Sequence, residues 1–203
     1  PSTEITEYIQ KNKRAKERNI HSQWSANEKT AMEAALGMSY AGKRAMVCMK
    51  HVGLNVAADA FINSAITGVN GGLIVSVADD PSMHSSQNEQ DSRFFGKVTM
   101  IPIFEPSNQQ EAYDMAYEGF ELSEKFKLPV LLRFTPRLSR SRAGIQTKKI
   151  KNQNPLTYPS DPIQFVLLPS NARKRYKSLL NLQDSIGNDS EKSKYNIYHE
   201  VLS

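Results

Sequence analysis

Four short runs rich in β-branched or long apolar residues punctuate the chain: Ala45 to Met49, Leu73 to Ala78, Met100 to Phe104 and Leu128 to Phe134. Each has the length and composition of a buried strand. The stretches between them have helical spacing, and the clearest runs from Ser107 to Phe126. There Ala112, Met115, Ala116 and Phe120 fall on one face, with Leu122 nearby, while Glu and Lys occupy the other. Pro106 and Ser107 resemble an N-terminal cap, and Leu128-Pro129 stops the helix before the next strand. Strands alternating with helices predict right-handed crossover units. The fold class is therefore α/β, a parallel sheet with helices on both faces.

The pattern ends after Arg142, where Lys, Asn, Gln and Pro dominate without apolar periodicity. Residues 1–145 are expected to form one domain, and 146–203 a linker with a short helical extension. That helix should run from Ser170 to about Leu182, with Leu179, Leu180 and Leu182 as its apolar face. The residues from Ile186 onward are mostly polar and are expected to be mobile. At the other end, Pro-Ser-Thr-Glu reads as the first turn of a helix with no strand ahead of it, which points to a missing upstream piece.

Composition narrows the possibilities. A chain of 203 residues, 39% hydrophobic, can bury one ordinary core. No uninterrupted apolar stretch approaches the roughly 18 to 20 residues needed to cross a bilayer, and the opening is too polar for a signal peptide. A cytoplasmic location without a membrane partner is expected. The single cysteine, Cys48, excludes an internal disulfide. An iron–sulfur cluster needs about four thiolates, so any electron transfer would use groups located elsewhere. The net charge of +5 is uneven, because Lys125 to Ser160 holds nine Lys or Arg and no Asp or Glu. Without Gly-rich or aromatic interleaving, that segment reads as a solvated linker or a contact for an acidic subunit rather than a nucleic-acid site.

Ligands of open α/β sheets lie outside the carboxyl ends of the strands, which directs attention to the adjoining segments. Before the first strand, Ser25 and Glu28 have capping-box spacing at the start of a helix, so a structural role competes there with a functional one. After it, Gly53 stands with His51 and Asn55, a set that could present amides, an imidazole and a carboxamide near a helix N-terminus. The bland alternative is a loop histidine bonded to backbone. The segment after the second strand packs Asp79, Asp80, His84, Gln87, Asn88, Gln90, Asp91 and Arg93 together, more polar groups than a connection needs. Pro81 and Ser82 favour a turn shaped by the two aspartates over a metal site, and no metal ligand is assigned.

WSANEKTAMEAALGMSYAGKRAMVCMKHVGLNVAAD, GVNGGLIVSVADDPSMHSSQNEQDSRFF and EPSNQQEAYDMAYEGFELSEKFKLPVLLR together resemble the alpha subunits of thiamine-diphosphate-dependent 2-oxoacid:ferredoxin oxidoreductases, most closely those acting on indolepyruvate. The likeness covers nearly all of Pro1 to Gly144, and FVLLPSNARKRYKSLL resembles the segment that follows. It implies a pyrimidine-binding domain, truncated relative to the whole subunit. NEKTAMEAALGMSYAGKRAMV is similar to the acidic segment that thiamine enzymes set against the aminopyrimidine, which implies that Glu28 is largely buried and hydrogen-bonds the ring. By the same resemblance His51, Gly53 and Asn55 lie in a loop over the thiazolium and substrate. Gln87, Asn88 and Gln90 would border the oxoacid pocket, with His51 or Arg93 facing the substrate carboxylate.

The resemblance further implies oxidative decarboxylation of an arylpyruvate to an acyl-coenzyme A, with electrons passed to ferredoxin. Magnesium and the diphosphate would be held by a second domain of the same or a paired subunit, and 4Fe-4S clusters would belong to the full-length subunit. A homodimer and a smaller beta subunit complete the implied assembly, and the fragment alone should be inactive. Two other readings stand beside this one: the pyrimidine-domain chain of a non-oxidative 2-oxoacid decarboxylase, and an assembly module without catalysis whose basic segment grips an acidic subunit.

Overall fold

The computed structural model describes residues 3–161 and 163–197. Strand β2 (Leu73–Ala78) is an uninterrupted apolar run apart from Ser76, and all six of its residues are buried. A strand buried on both faces belongs in the middle of a parallel sheet, and β2 pairs in parallel with β1 (Ala45–Lys50) on one side and β4 (Val130–Phe134) on the other. A two-residue strand, β3 (Ile103–Phe104), pairs in parallel with β4, giving the order β1-β2-β4-β3.

The period-two alternation of β2 assigns its side chains to two clusters. Leu73, Val75 and Val77 join Met32 and Leu36 of α3 (Glu28–Tyr40), Leu54 and Phe61 of α4 (His51–Thr67), and Leu179 of α8 (Pro169–Glu191). Ile74 packs with Leu132 and with Met115 of α6 (Gln109–Phe126) on the opposite face. Helices therefore cover both faces, as the sequence pattern requires. The shorter helices are α1 (Thr3–Lys11), α2 (Lys13–Glu17), α5 (Arg93–Thr99) and α7 (Pro136–Ser139). No helix among the described residues is long and apolar enough to cross a membrane.

Several boundaries differ from the sequence reading, each for a local reason. The third strand shrinks to Ile103–Phe104, because Met100 takes a left-handed φ of 57° to cap α5. The fourth starts at Val130, because Leu128 is engaged by Ser123, whose carbonyl accepts its N–H at 3.2 Å and whose hydroxyl donates to its carbonyl at 2.6 Å. Helix α6 is capped by Asn108, whose side chain accepts from the Glu111 N–H at 2.9 Å. Ser107 instead donates its own N–H and hydroxyl to the Glu111 carboxylate at 2.8 and 2.7 Å.

The segment after Gly144 has no regular structure, yet it is bound along α6 as a strap. Gln146 exchanges backbone hydrogen bonds with the Gln110 side chain at 2.7 and 3.1 Å. The Lys148 N–H donates to the Tyr113 hydroxyl at 2.9 Å, and the Tyr117 hydroxyl donates to the Lys149 carbonyl at 2.7 Å. Lys148 pairs with Asp114 and Glu118 at 2.8 and 2.9 Å, and Lys151 with Glu121 at 2.7 Å. These lysines, read from the sequence as free for an acidic subunit, therefore meet the acidic face of the chain's own α6. The strap ends at the connection between α4 and β2, where Asn70 donates to the Thr157 carbonyl at 2.7 Å.

Helix α8 is also longer than its apolar pattern suggests. Leu179 is buried and Leu180 is exposed, while Leu182 and Ile186 pack against the core. The residues from Ile186, expected to be mobile, continue the helix to Glu191. Beyond it, Lys194 and the Tyr195 hydroxyl bond to Glu118 at 2.7 and 2.9 Å. The remainder of that expected mobile tail, 198–203, and the first two residues of the opening turn lie outside the described residues.

Candidate cofactor and substrate site

Strand β1 passes directly into α4, with Lys50 as an extended N-cap residue that makes no side-chain capping bond. His51 and Gly53 therefore occupy the first helical turn and Asn55 the second, exposed to solvent. This corrects the expected loop: Leu54, Ala57, Phe61 and Ala65 bury one face of a helix that starts where the strand ends. The uncapped N–H groups of that first turn carry the positive end of the helix dipole at the carboxyl edge of the sheet.

Helix α3 packs against α4 and brings its first residue, Glu28, to that turn. The capping box expected from Ser25 does not form; Asn27 is the cap, its side chain accepting from the Thr30 N–H at 2.9 Å and hydroxyl at 3.1 Å. The Glu28 carboxylate is thus outside the cap and lies across Gly53. A Cβ on Gly53 would come 2.6 Å from Glu28 Cγ and 2.7 Å from Oε1, closer than real Cβ contacts allow. Glycine at position 53 is what lets the carboxylate settle on α4. Glu28 is half-buried rather than largely buried.

The third wall is the β2–α5 loop, and its two aspartates shape it. Asp80 accepts from the Ser86 hydroxyl and the Ser85 N–H, both at 2.8 Å, and from the His84 N–H at 3.2 Å. Those donors, the Ser86 hydroxyl first and the Ser85 N–H next, hold its carboxyl down at about 2 against the opposing effect of burial. Lys50 reaches the same turn, donating to the Ser85 carbonyl at 2.8 Å. Asp79 is fully buried and accepts from the Ser92 N–H at 3.0 Å, from the Ser92 hydroxyl, and from Arg133 Nε at 2.6 Å. With their oxygens so engaged, both aspartates serve the loop. Ser82 and Met83 take left-handed φ values of 65° and 52°, conformations costly for residues with a Cβ that concentrate at functional sites.

Between these anchors, the Asn88 carbonyl lies 3.0 Å from Nε2 of His51, which is 1% exposed. A carbonyl can only accept, so Nε2 carries the proton, and in the neutral ring Nδ1 is an acceptor. His51 Nδ1, Asn88 Oδ1 and Gln90 Oε1 are all buried without a protein partner. Buried polar groups of native proteins are overwhelmingly satisfied, so three such atoms, one on the first turn of α4 and two on the β2–α5 loop, fit a bound polar ligand. Gln87 is exposed. Arg93, 54% exposed, pairs with Asp91 at 2.6 Å and Glu105 at 3.6 Å. The Asp91 hydrogen bond, with the nearby Glu105 charge, pushes its guanidinium pKa upward.

Sequence reasoning missed Arg133, hidden in the apolar run VLLRF. It is 5% exposed and bonds both Asp79 and Glu105. The signal was present, since a guanidinium inside a buried strand must find carboxylates.

Residues 1–175 match the family described as pyruvate flavodoxin/ferredoxin oxidoreductase, thiamine diphosphate-binding. The chain belongs to that family. Indolepyruvate oxidoreductase subunit IorA of Archaeoglobus fulgidus is 48% identical over 170 residues, 83% of this chain and 27% of the relative. The subunit of the same name from Thermococcus kodakarensis is 43% identical over 192 residues, 92% of this chain and 29% of the relative. The chain thus spans less than a third of the length of these relatives. Its fold matches that of the 2-oxoglutarate:ferredoxin oxidoreductase from Magnetococcus marinus, solved with 2-oxoglutarate, coenzyme A and succinyl-CoA bound. That match has a TM-score of 0.69 at 16% identity and covers 93% of this chain and 40% of the other.

For a thiamine-diphosphate-binding domain the donor set is chemically suitable. A carboxylate cradled on a glycine, with the buried acceptors His51 Nδ1, Asn88 Oδ1 and Gln90 Oε1 on neighbouring segments, suits the N–H donors of an aminopyrimidine.

Proposed function

We propose that this chain is the pyrimidine-binding part of a thiamine-diphosphate-dependent oxidoreductase that oxidatively decarboxylates arylpyruvates, indolepyruvate foremost, to acyl-coenzyme A with ferredoxin as electron acceptor. The observation that carries the reading is the Glu28 carboxylate resting on Gly53, at a helix N-terminus on the carboxyl edge of the sheet. When bound, thiamine diphosphate supplies the electron sink for loss of carbon dioxide from a 2-oxoacid.

The chain's own residues bind and orient. Glu28 bonds a pyrimidine ring nitrogen and holds or moves a proton there. Gly53 leaves room for that carboxylate, and Asn55, one turn on, contributes to the cofactor side. His51 presents Nδ1 to the reacting region. Gln87, Asn88 and Gln90 border the oxoacid, whose carboxylate meets Arg93, or His51 in its imidazolium form, where Nδ1 also donates. The diphosphate and magnesium ion are assigned to a second domain of the same or a paired subunit. The 4Fe-4S clusters are assigned to a cysteine-bearing part, since Cys48 offers one thiolate and burial in β1 pushes its pKa up to about 11. A second alpha subunit, a smaller beta subunit and ferredoxin complete the assembly.

The test is Glu28→Gln in the complete subunit, assayed with indolepyruvate, coenzyme A and a dye acceptor. Turnover is expected to fall by on the order of a hundredfold or more while folding and assembly are unchanged. Normal turnover would remove the thiamine assignment. Aldehyde release without acceptor reduction would point instead to a non-oxidative decarboxylase.

A further inference from the structure

Asp79 and Asp80 are adjacent, both buried, and hold different ends of one loop. Asp80 fixes residues 84–86, and Asp79 fixes Ser92 through both its N–H and its hydroxyl. The stretch between the anchors carries the Asn88 carbonyl that takes the His51 Nε2 proton. Asp79 is in turn gripped by Arg133, which spans from β4 to Glu105. A buried ion pair of this kind contributes little net stability, because desolvation offsets its Coulomb attraction, and an apolar pair of similar volume is often at least as stable. Its geometric effect is specific: it ties the end of the loop to two strands of the rigid sheet.

We propose that Asp79 and Arg133 are positioning residues. The pair clamps Ser92, so holds the loop over 84–92, keeps the Asn88 carbonyl against His51, and fixes the imidazole with its proton on Nε2. Only the expected effect on turnover rests on the function proposed above; the clamp itself concerns the loop.

The experiment uses the complete subunit carrying Ser92→Ala, Arg133→Met or Arg133→Lys. Hydrogen exchange by mass spectrometry is followed together with the kinetics of 2-oxoacid oxidation. Amides of 84–91 are expected to exchange about tenfold faster or more in Ser92→Ala, the effect of losing one buried hydrogen bond on a local opening, and faster still in Arg133→Met, which loses the bonds to Asp79 and Glu105 and leaves Asp79 buried without its cation. In Ser92→Ala those of β2 and β4 should be unchanged, and Arg133→Lys should recover part of the protection that Arg133→Met loses. KM for the oxoacid should rise, and kcat should fall on the order of tenfold to a hundredfold, as for a displacement of up to about 1 Å of a group that orients substrate.

Unchanged protection of 84–91 overturns the clamp. So does faster exchange throughout the domain with KM unaltered, the signature of a merely structural pair. Should Arg133→Met fail to fold, Ser92→Ala decides alone. If Glu28→Gln stays active, the thiamine reading fails while a loosened loop still establishes the clamp. If Glu28→Gln is inactive and the loop stays protected, the clamp alone fails.

Discussion

Glu28 and Gly53 meet because one of them has no side chain: the carboxylate that opens α3 lies where a β-carbon on α4 would stand. Gly53→Ala should therefore separate stability from activity. Alanine favours a helix over glycine by about 1 kcal/mol, which offsets part of the crowding. The colliding atom includes Cγ rather than only the far end of the chain, so the carboxylate must swing away. In the complete subunit the melting temperature is expected to change by no more than a few degrees while kcat falls about tenfold or more. Retained kcat would mean that Glu28 need not lie there.

The Asp80 turn should be acid-sensitive in a defined window. Its folded carboxyl is held at about 2, chiefly by the Ser86 hydroxyl and the Ser85 N–H, whereas an unfolded aspartate titrates near about 3.9. A depressed folded pKa means that the contribution is complete above the unfolded value and is lost as pH falls through the folded one. The stability difference between wild type and Asp80→Ala should be constant from neutral pH down to about pH 4, then shrink toward pH 2. Denaturant titrations across that range measure it; a difference that shrinks already between pH 7 and 5 would refute the assignment.

Glu118 gathers Lys148, Lys194 and the Tyr195 hydroxyl at one carboxylate. Burial pushes its pKa up, but the bonds from Lys194 and Lys148 prevail and bring it to about 2. Glu118→Gln should cost about 1 kcal/mol, since the site is partly open to solvent and screened. It should also speed tryptic cleavage at Lys148 and Lys151 at neutral pH. An unchanged digestion rate would show that these contacts do not hold the strap.

Gly42 has φ of 86°, and a Cβ there would lie 2.6 Å from the Leu156 carbonyl carbon and 2.9 Å from the Thr157 nitrogen. Gly42→Ala combines left-handed strain with displacement of the strap, and should destabilise the domain by about 2 kcal/mol in denaturant unfolding. A shift under about 0.5 kcal/mol would mean the strap yields freely.

What the sequence made legible follows from the kind of force involved. Strand β2 was readable to the residue because burial on both faces demands an unbroken apolar run, and α6 because its buried stripe repeats helically. The caps were misplaced by one or two residues, since Ser25 and Asn27, or Ser107 and Asn108, are equally capable acceptors and only the backbone decides between them. Glu28, His51, Asn88 and Gln90 came from polar residues clustered beside strand ends together with the family resemblance, and the fold brings them to one edge. Arg133 was lost among its apolar neighbours. The strap was invisible for another reason: backbone groups of Gln146, Lys148 and Lys149 bond to Gln110, Tyr113 and Tyr117, and such bonds leave no periodicity.

That last arrangement bears on how the protein can be dissected. A polypeptide ending at Gly144 would retain all four strands but strip Asp114, Glu118 and Glu121 of Lys148 and Lys151, leaving carboxylates spaced three and four residues apart to repel one another. The shortest piece worth expressing therefore extends past Thr157, where Asn70 receives the returning chain, and through α8, whose Leu179 completes the core.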